Sequence, residues 1–260
     1  MAGHLLAAFG WVPARAGVFL DFDGVLADIA VDPDAAVPRP GVPALLESLN
    51  ERVGRLAIVS GRPVEYLARH LPESIDLVGL YGLEWRHRGQ HHTLHEAEEW
   101  RATFRDLTEE ASVRFGSDTV EPKGLSLTVH YRRHRHLDEP MGAWVREVAA
   151  ATGAHARPAK QSYELHPPIR RDKGTVVLDL AADLDPVLYV GDDLGDLPAF
   201  DALDELAGRG VAAVRVAVAS SEAPPILLSR ADHVADGPAA AEELLVELVG
   251  LVAAAPGSSG

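Results

Sequence analysis

Two aspartates, Asp21 and Asp23, close the apolar run "VFLDFDGV", and a second acidic set, Asp192, Asp193 and Asp196, closes "VLYVGDDLGD". Val18, Phe19 and Leu20 read as a buried strand that Gly24 breaks. Alternation along an extended chain puts the Asp21 and Asp23 carboxylates on the same side, near each other. Close anions repel, and burial sharpens the repulsion. A sequence keeps such a pair when something positive sits between them or when one carboxyl stays protonated. Between the two acidic ends lie a polar turn, Ser60, Gly61 and Arg62 in "IVSGRP", and a lysine, Lys173 in "RRDKG". Each has an ordinary explanation by itself: a turn for Asp and Gly, a helix cap for Ser60, a surface cation for Lys173. Their recurrence at matching places in one strand-and-helix pattern is not what turn chemistry alone produces.

The chemistry such groups can do is phosphoryl transfer through an aspartyl phosphate. Asp21, first after the strand, is the expected nucleophile, and a covalent intermediate splits one hard step into two. Asp23 is placed to protonate the leaving alkoxide and then to accept a proton from water. A hard ion, Mg²⁺, is expected between Asp21, the backbone carbonyl of Asp23, and Asp192. Ser60 offers a hydroxyl and Gly61 a backbone N–H to phosphate oxygens, and Arg62 in the same turn is read as substrate-binding. Lys173 supplies positive charge at the transferring group. Asp193 and Asp196 are open between capping the next helix and supporting the metal.

The elements that must hold these residues follow from hydrophobic period and turn signals. Residues 1–17 read as a short packed helix, not a signal peptide. "PALLESLNERV" and "VEYLARHL" have helical spacing, and "RLAIVSGR" and "IDLVGLYG" are strand-like. After Pro167 and Pro168 the pattern resumes: helix at "DKGTVVLDLAADL", strand at "PVLYVGDD", helix from "LPAFDAL", strand at "GVAAVRVAVA" and a final helix at "AAAEELLVELVGLVAA". This predicts an α/β fold, a Rossmann-like three-layer α/β/α core with a parallel sheet, whose ligands bind outside the carboxyl ends of the strands. The middle differs. "EAEEWRATFRDLTEEASVRFG" and "MGAWVREVAAATG" read as helices, and "GLSLTVHYR" and "QSYELHP" alternate like antiparallel strands. The expected division is therefore a core over 1–96 and 167–260 with an inserted α+β unit over 97–166. The last residues, "AAAPGSSG", read as a frayed tail.

Composition narrows the function classes. A formal net charge of −15 argues against nonspecific binding to nucleic acid or anionic membrane, since phosphates would be repelled. The absence of cysteine excludes thiolate catalysis and cysteine-ligated metals, which leaves carboxylates and imidazoles as ligands. No apolar run is long enough to span a bilayer, and a cytoplasmic monomer is expected. His91, His92 and His95 cluster in "QHHTLHEAEEW", but the spacing suits a solvated hairpin tip better than a zinc site. "HYRRHRH" is a basic patch able to attract a sugar phosphate.

With these residues assembled, the sequence resembles the haloacid dehalogenase superfamily. "DFDGV", "VSGR", "DKG" and "VGDDLGD" are similar to its four motifs in order, and the inserted unit is similar to its mobile α/β cap, which closes over the site and selects substrate. Within the superfamily the chain resembles the trehalose-6-phosphate phosphatases. "VEPKGLSLTVHYR", "YELHPP" and "GLYGLEWR" carry that likeness. Carried over residue by residue, it implies that Glu121, Lys123, Arg132 and Glu164 contact the sugar, and carboxylates, Lys and Arg suit vicinal hydroxyls. It implies hydrolysis of trehalose 6-phosphate with Mg²⁺, and a functional link to a trehalose-6-phosphate synthase. Related sugar-phosphate phosphatases, acting on sucrose phosphate or a glycosyl glycerate phosphate, remain the alternative. Four positions depart from the family: Val25 replaces a threonine, Tyr81 stands where histidine is common, His166 where arginine is frequent, and Leu197 where an acid is usual.

Overall fold

A strand buried on both faces of a sheet reads as an unbroken apolar run, and the central strands of this protein do so. The computed structural model describes residues 3–30, 35–159, 161–221 and 223–255. The start of the Pro-rich loop, 31–34, and the end of the expected frayed tail, 256–260, lie outside the described residues. The first half of the core runs α1 (Gly3–Trp11), β1 (Gly17–Leu20), α2 (Val42–Asn50), β2 (Arg55–Val59), α3 (Val64–His70), β3 (Asp76–Gly79), β4 (Glu84–His87) and β5 (Gln90–Thr93). Then come α4 (His95–Glu98), α5 (Arg101–Phe115), β6 (Val120–Pro122), β7 (Leu127–His130), α6 (Asp138–Thr152), β8 (His155–Ala159) and β9 (Ser162–His166). The core resumes with α7 (Lys173–Leu180), β10 (Val187–Gly191), α8 (Leu197–Gly208), β11 (Ala213–Ala219), α9 (Pro225–Arg230), β12 (His233–Asp236) and α10 (Gly237–Ala253).

Residues 1–91 with 171–260 form one unit, and 92–170 form the other. The expected insertion, 97–166, is shorter at both ends: the second unit also takes in the end of β5 and the start of α4. The sheet of the first unit has the order β12-β11-β10-β1-β2-β3-β4-β5. Strands β12 to β3 pair in parallel, while β4 runs antiparallel to β3, so the sheet is mixed where a parallel one was expected. The chain leaves β1 for β2 on one side and, after β9 and α7, returns to the sheet at β10 on the other. This is the switch point at which an open α/β sheet forms its crevice.

Side chains alternate across β1. Val18 and Leu20 join one core, with Leu6 and Phe9 of α1, Leu46 of α2 and Leu248 of α10. Phe19 joins the other, with Val176 and Val177 of α7 and Phe200 and Leu203 of α8. Two layers of helix thus clamp the sheet so that the chain just past β1 and β10 is fixed from both faces.

The second unit is a four-stranded sheet, β6-β7-β9-β8, antiparallel throughout. Its helices α5 and α6 bury Phe104, Leu107, Trp144 and Val145 against Leu127, Val129 and Leu165. The helix expected over "EAEEWRATFRDLTEEASVRFG" is two, α4 and α5, divided at Glu99 and Trp100. No described helix is long and apolar enough to cross a membrane.

Candidate active site

The end of β1 is built to hold one carboxylate still. Asp21 is 4% exposed and continues the ladder, its N–H donating to the Val190 carbonyl at 2.9 Å. Its Oδ1 accepts from the Phe22 N–H at 2.7 Å, and its Oδ2 lies 2.8 Å from Lys173 Nζ. Lys173 is the first residue of α7, which starts on a full capping box: Asp172 accepts from Thr175 N–H, and Thr175 Oγ1 accepts from Asp172 N–H. The box fixes where α7 begins and so where Lys173 points. At 3% exposed, Lys173 is no surface cation. Its ammonium also reaches Asp196 Oδ1 at 2.7 Å.

Asp196 is 0% exposed and saturated. Oδ1 takes Lys173 and the Tyr189 hydroxyl, the latter at 2.6 Å; Oδ2 takes the N–H groups of Asp192 at 2.8 Å and Asp193 at 3.0 Å. Asp193 accepts from the Gly195 N–H at 2.7 Å and caps the short 3₁₀ turn at Leu194–Asp196. The expected cap on the following helix is not made: Asp193 and Asp196 form the capping box of the 3₁₀ turn, the Asp196 side chain makes no cap bond to α8, and it anchors the lysine. Glycines admit this crowding. A Cβ on Gly24, whose φ is +70°, would fall 2.1 Å from the Asp192 carboxylate, and one on Gly191 would fall 2.3 Å from that of Asp196.

Burial decides the protonation of this cluster. It drives the Asp21 carboxyl well above the usual carboxylate range, with Lys173 pulling the other way. It pushes Asp192 up to about 9, helped by the charges of Asp21, Asp196 and Asp193. For Asp196 burial is outweighed by Lys173, Tyr189 and the backbone donors, so it stays below the ordinary value. Burial would lower Lys173, but Asp196 and Asp21 hold it well above.

Ligand oxygens of Asp21, Asp192, Asp193 and Asp196 all lie within 4.8 Å of one another. Four gathered carboxylates, three of them (Asp21, Asp192 and Asp193) pushed up by burial and by neighbouring acids, fit a hard divalent ion. The Asp192 carboxylate is the least committed, Asp193 gives one oxygen to the Gly195 N–H, Asp21 shares its two oxygens with the Phe22 N–H and Lys173, and Asp196 is engaged on both. The Asp23 side chain is not part of the cluster.

A pH dependence follows. Asp192 has a folded pKa raised from an unfolded value of about 3.9. Its contribution to stability is present below that unfolded value and is lost as pH rises towards about 9. A bound divalent ion needs the carboxylate and removes the penalty. The rise in melting temperature produced by saturating Mg²⁺ over EDTA should therefore grow from pH 6 to pH 9. A shift independent of pH would detach the ion from this carboxyl.

Asp21 and Asp23 face different basic side chains, Asp21 the Lys173 ammonium and Asp23 the Arg62 guanidinium. Asp23 is held by Arg62, with Nε donating to Oδ2 at 2.8 Å and Nη2 to Oδ1 at 2.7 Å. Arg62, expected on substrate, is engaged with the expected acid, its guanidinium 4.4 Å above the Tyr66 ring. Ser60 is not a helix cap: Pro63 stands at that position of α3, and Ser60 Oγ accepts from the Arg62 N–H at 3.2 Å. Gly61 lies in the same turn, packed so that a Cβ would meet the Tyr81 hydroxyl at 2.7 Å.

In the second unit, strand register lines up Glu121, Thr128, Glu164 and Arg157 in one row on the sheet face opposite the helices. Lys123 Nζ lies 3.4 Å from Glu164 Oε1, and His130 Nε2 lies 2.8 Å from Glu121 Oε2. Three of the four expected sugar contacts thus share a face. Arg132 lies half-buried in the turn beyond β7. Thr128 and His130 were not singled out by the sequence, although their alternation with Leu127 and Val129 in "LTVH" carries the signal. The Thr128 hydroxyl, in the middle of the row, is buried without a hydrogen-bond partner.

A family model for trehalose-phosphatase matches residues 19–232. A trehalose-phosphate phosphatase of Mycobacterium ulcerans (strain Agy99) is 34% identical over 209 residues, 75% of this chain and 53% of its own length. A probable trehalose-phosphate phosphatase of Sinorhizobium fredii (strain NBRC 101917 / NGR234) is 32% identical over 210 residues, 75% of this chain and 76% of its own. The solved structure of a trehalose-6-phosphate phosphatase related protein matches with a TM-score of 0.76 at 25% identity, over 90% of this chain and 98% of its own. The chain spans about half the length of the mycobacterial phosphatases it matches.

Proposed function

The chain belongs to the trehalose-phosphatase family, and from that premise we propose that it is a cytoplasmic, Mg²⁺-dependent phosphatase that hydrolyses trehalose 6-phosphate to trehalose and phosphate. The observation that carries the proposal is the buried relay Asp21, Lys173 and Asp196 beside Asp192 at the switch point of the sheet. A divalent ion held by Asp21 and Asp192, when bound, adds positive charge to the phosphoryl group.

Asp21 Oδ attacks phosphorus, the ester P–O bond breaks, and its electron pair stays on the sugar oxygen, which takes a proton from Asp23. Water then attacks the aspartyl phosphate and gives a proton to Asp23, and the bond to Asp21 breaks to release phosphate. Lys173 offsets charge on the nucleophile and on the phosphoryl oxygens. Asp23 starts from its pair with Arg62; a phosphate dianion competes for that fork-shaped guanidinium, and Asp23, once released, takes up from solvent the proton that it gives to the leaving oxygen. Ser60 and the Gly61 N–H take phosphoryl oxygens.

Glu121, Lys123 and Glu164 suit a polyol, with Arg132 as an additional donor. The unpartnered Thr128 hydroxyl between the two glutamates supports a hydroxyl-rich ligand on this face. A sugar-phosphate panel with phosphate release as readout tests the substrate. Trehalose 6-phosphate should have the highest kcat/KM; higher values for sucrose phosphate or a glycosyl glycerate phosphate would replace it. Glu164→Ala should lower kcat/KM for the disaccharide phosphate at least about tenfold, equivalent to about 1.4 kcal/mol, and leave p-nitrophenyl phosphate within twofold. Equal losses on both would remove the sugar role from this face.

A further inference from the structure

The segment after β3 turns with three successive positive φ angles, Leu80 at 49°, Tyr81 at 58° and Gly82 at 98°. Two of the three are not glycine, and both carry large side chains. Non-glycine residues persist in this region only when their surroundings over-determine them. The surroundings here are the catalytic turns. Leu80 N–H donates to the Arg62 carbonyl and Tyr81 N–H to the Ser60 carbonyl, each at 3.1 Å. Glu84 Oε1 accepts from the Val64 N–H at 2.5 Å. A Cβ on Gly79 would strike the Arg62 carbonyl and the Val64 nitrogen at 2.7 Å, so the two backbones touch.

The Tyr81 ring extends the clamp. Its hydroxyl edge lies against Gly61, where a Cβ would come within 2.7 Å, and its Cε1 lies 3.7 Å from where a Cβ on Gly195 would sit. Gly82 abuts the same helix that starts at Lys173: a Cβ there would meet Val176 at 2.6 Å. One strained turn therefore touches the Ser60–Arg62 turn, the Asp193–Asp196 turn and α7.

We propose that Tyr81 is a positioning residue for catalysis, its ring wedged between Gly61 and Gly195 to set the spacing of the phosphate-binding turn and the acidic turn. The proposal rests on the reading that Ser60 and Gly61 hold the phosphoryl group, and it is independent of which sugar the enzyme prefers. Strain concentrated at one point that three functional segments share is what preorganisation looks like in a backbone.

The test uses p-nitrophenyl phosphate, which carries no sugar, so a wrong sugar assignment leaves it untouched. Tyr81→Ala and Tyr81→Gly both remove the ring, but only glycine relieves the left-handed backbone. Both should lose about tenfold in kcat with KM within twofold, since a misplaced reacting group costs rate. Tyr81→Gly should melt about 2–4 °C above Tyr81→Ala. Tyr81→Phe keeps the wedge and should retain at least a third of kcat. Unchanged kcat in the alanine and glycine variants would overturn the proposal. So would a rate loss that follows melting temperature rather than the ring, or a phenylalanine variant as slow as alanine.

Discussion

Replacing Asp21 with asparagine should reduce phosphate release to below about 10⁻⁴ of the parent rate, the scale seen when a nucleophile is removed outright. The carboxamide keeps the size of the side chain and an acceptor for the Phe22 N–H, but it has no anionic oxygen to attack phosphorus. The variant should fold. Lys173 keeps Asp196 at 2.7 Å, so its buried charge stays compensated. Removing the Asp21 charge also removes its repulsion on Asp192, although the burial of Asp192 remains. In EDTA the melting temperature should therefore equal or exceed that of the parent protein. Phosphate-release assays with p-nitrophenyl phosphate, beside a melt in chelator, check both halves. Residual turnover near 1% would place the nucleophile elsewhere.

Lys173→Met should be the more damaging change to the fold. The ammonium is the shared partner of Asp21 and Asp196, both buried. Taking one member from a buried ionic group leaves uncompensated charge and costs about 3–5 kcal/mol. Methionine fills the space of the stem without offering a donor. The sign with pH follows from what the carboxylates lose. Without the cation their folded pKa values rise, so their contribution to stability is lost as pH increases. The gap between variant and parent should widen from pH 5.5 to pH 8 in denaturant melts made without metal. Activity should fall with the same change, because the nucleophile loses its electrostatic partner. A variant as stable as the parent at pH 8 would mean that Lys173 is not the cation this cluster depends on.

The central strands and the residues that follow them were legible because burial on both faces leaves a continuous apolar signature. β1, β2 and β10 each run straight into Asp21, Ser60 or Asp192, and nothing in between blurs the strand end. The edges were not legible. β4 and β12, "EWRH" and "HVAD", are short and mixed in burial, so no period accumulates. The break between α4 and α5 falls at Glu99 and Trp100, neither of which punctuates a helix in the way Pro or Gly does.

Within the site, the pairing of Asp23 with Arg62 joins residues 39 apart and depends on β1 and β2 being neighbours, which local pattern does not encode. Tyr81 was visible only as a departure from the family's histidine. Its left-handed backbone is carried by Leu80 and Tyr81, so the glycine that normally marks such a turn comes two residues after it begins, at Gly82.

The segment over 92–170 has an interior of its own, with Phe104, Trp144, Met141 and Leu165 fully enclosed within it. Mutational drift on the polar row of its sheet leaves that interior intact, and it leaves the buried acids of the larger unit intact as well. On the proposed assignment, recognition by the polar row and catalysis by the buried acids are separable heritable traits, each able to drift without disturbing the interior that supports the other.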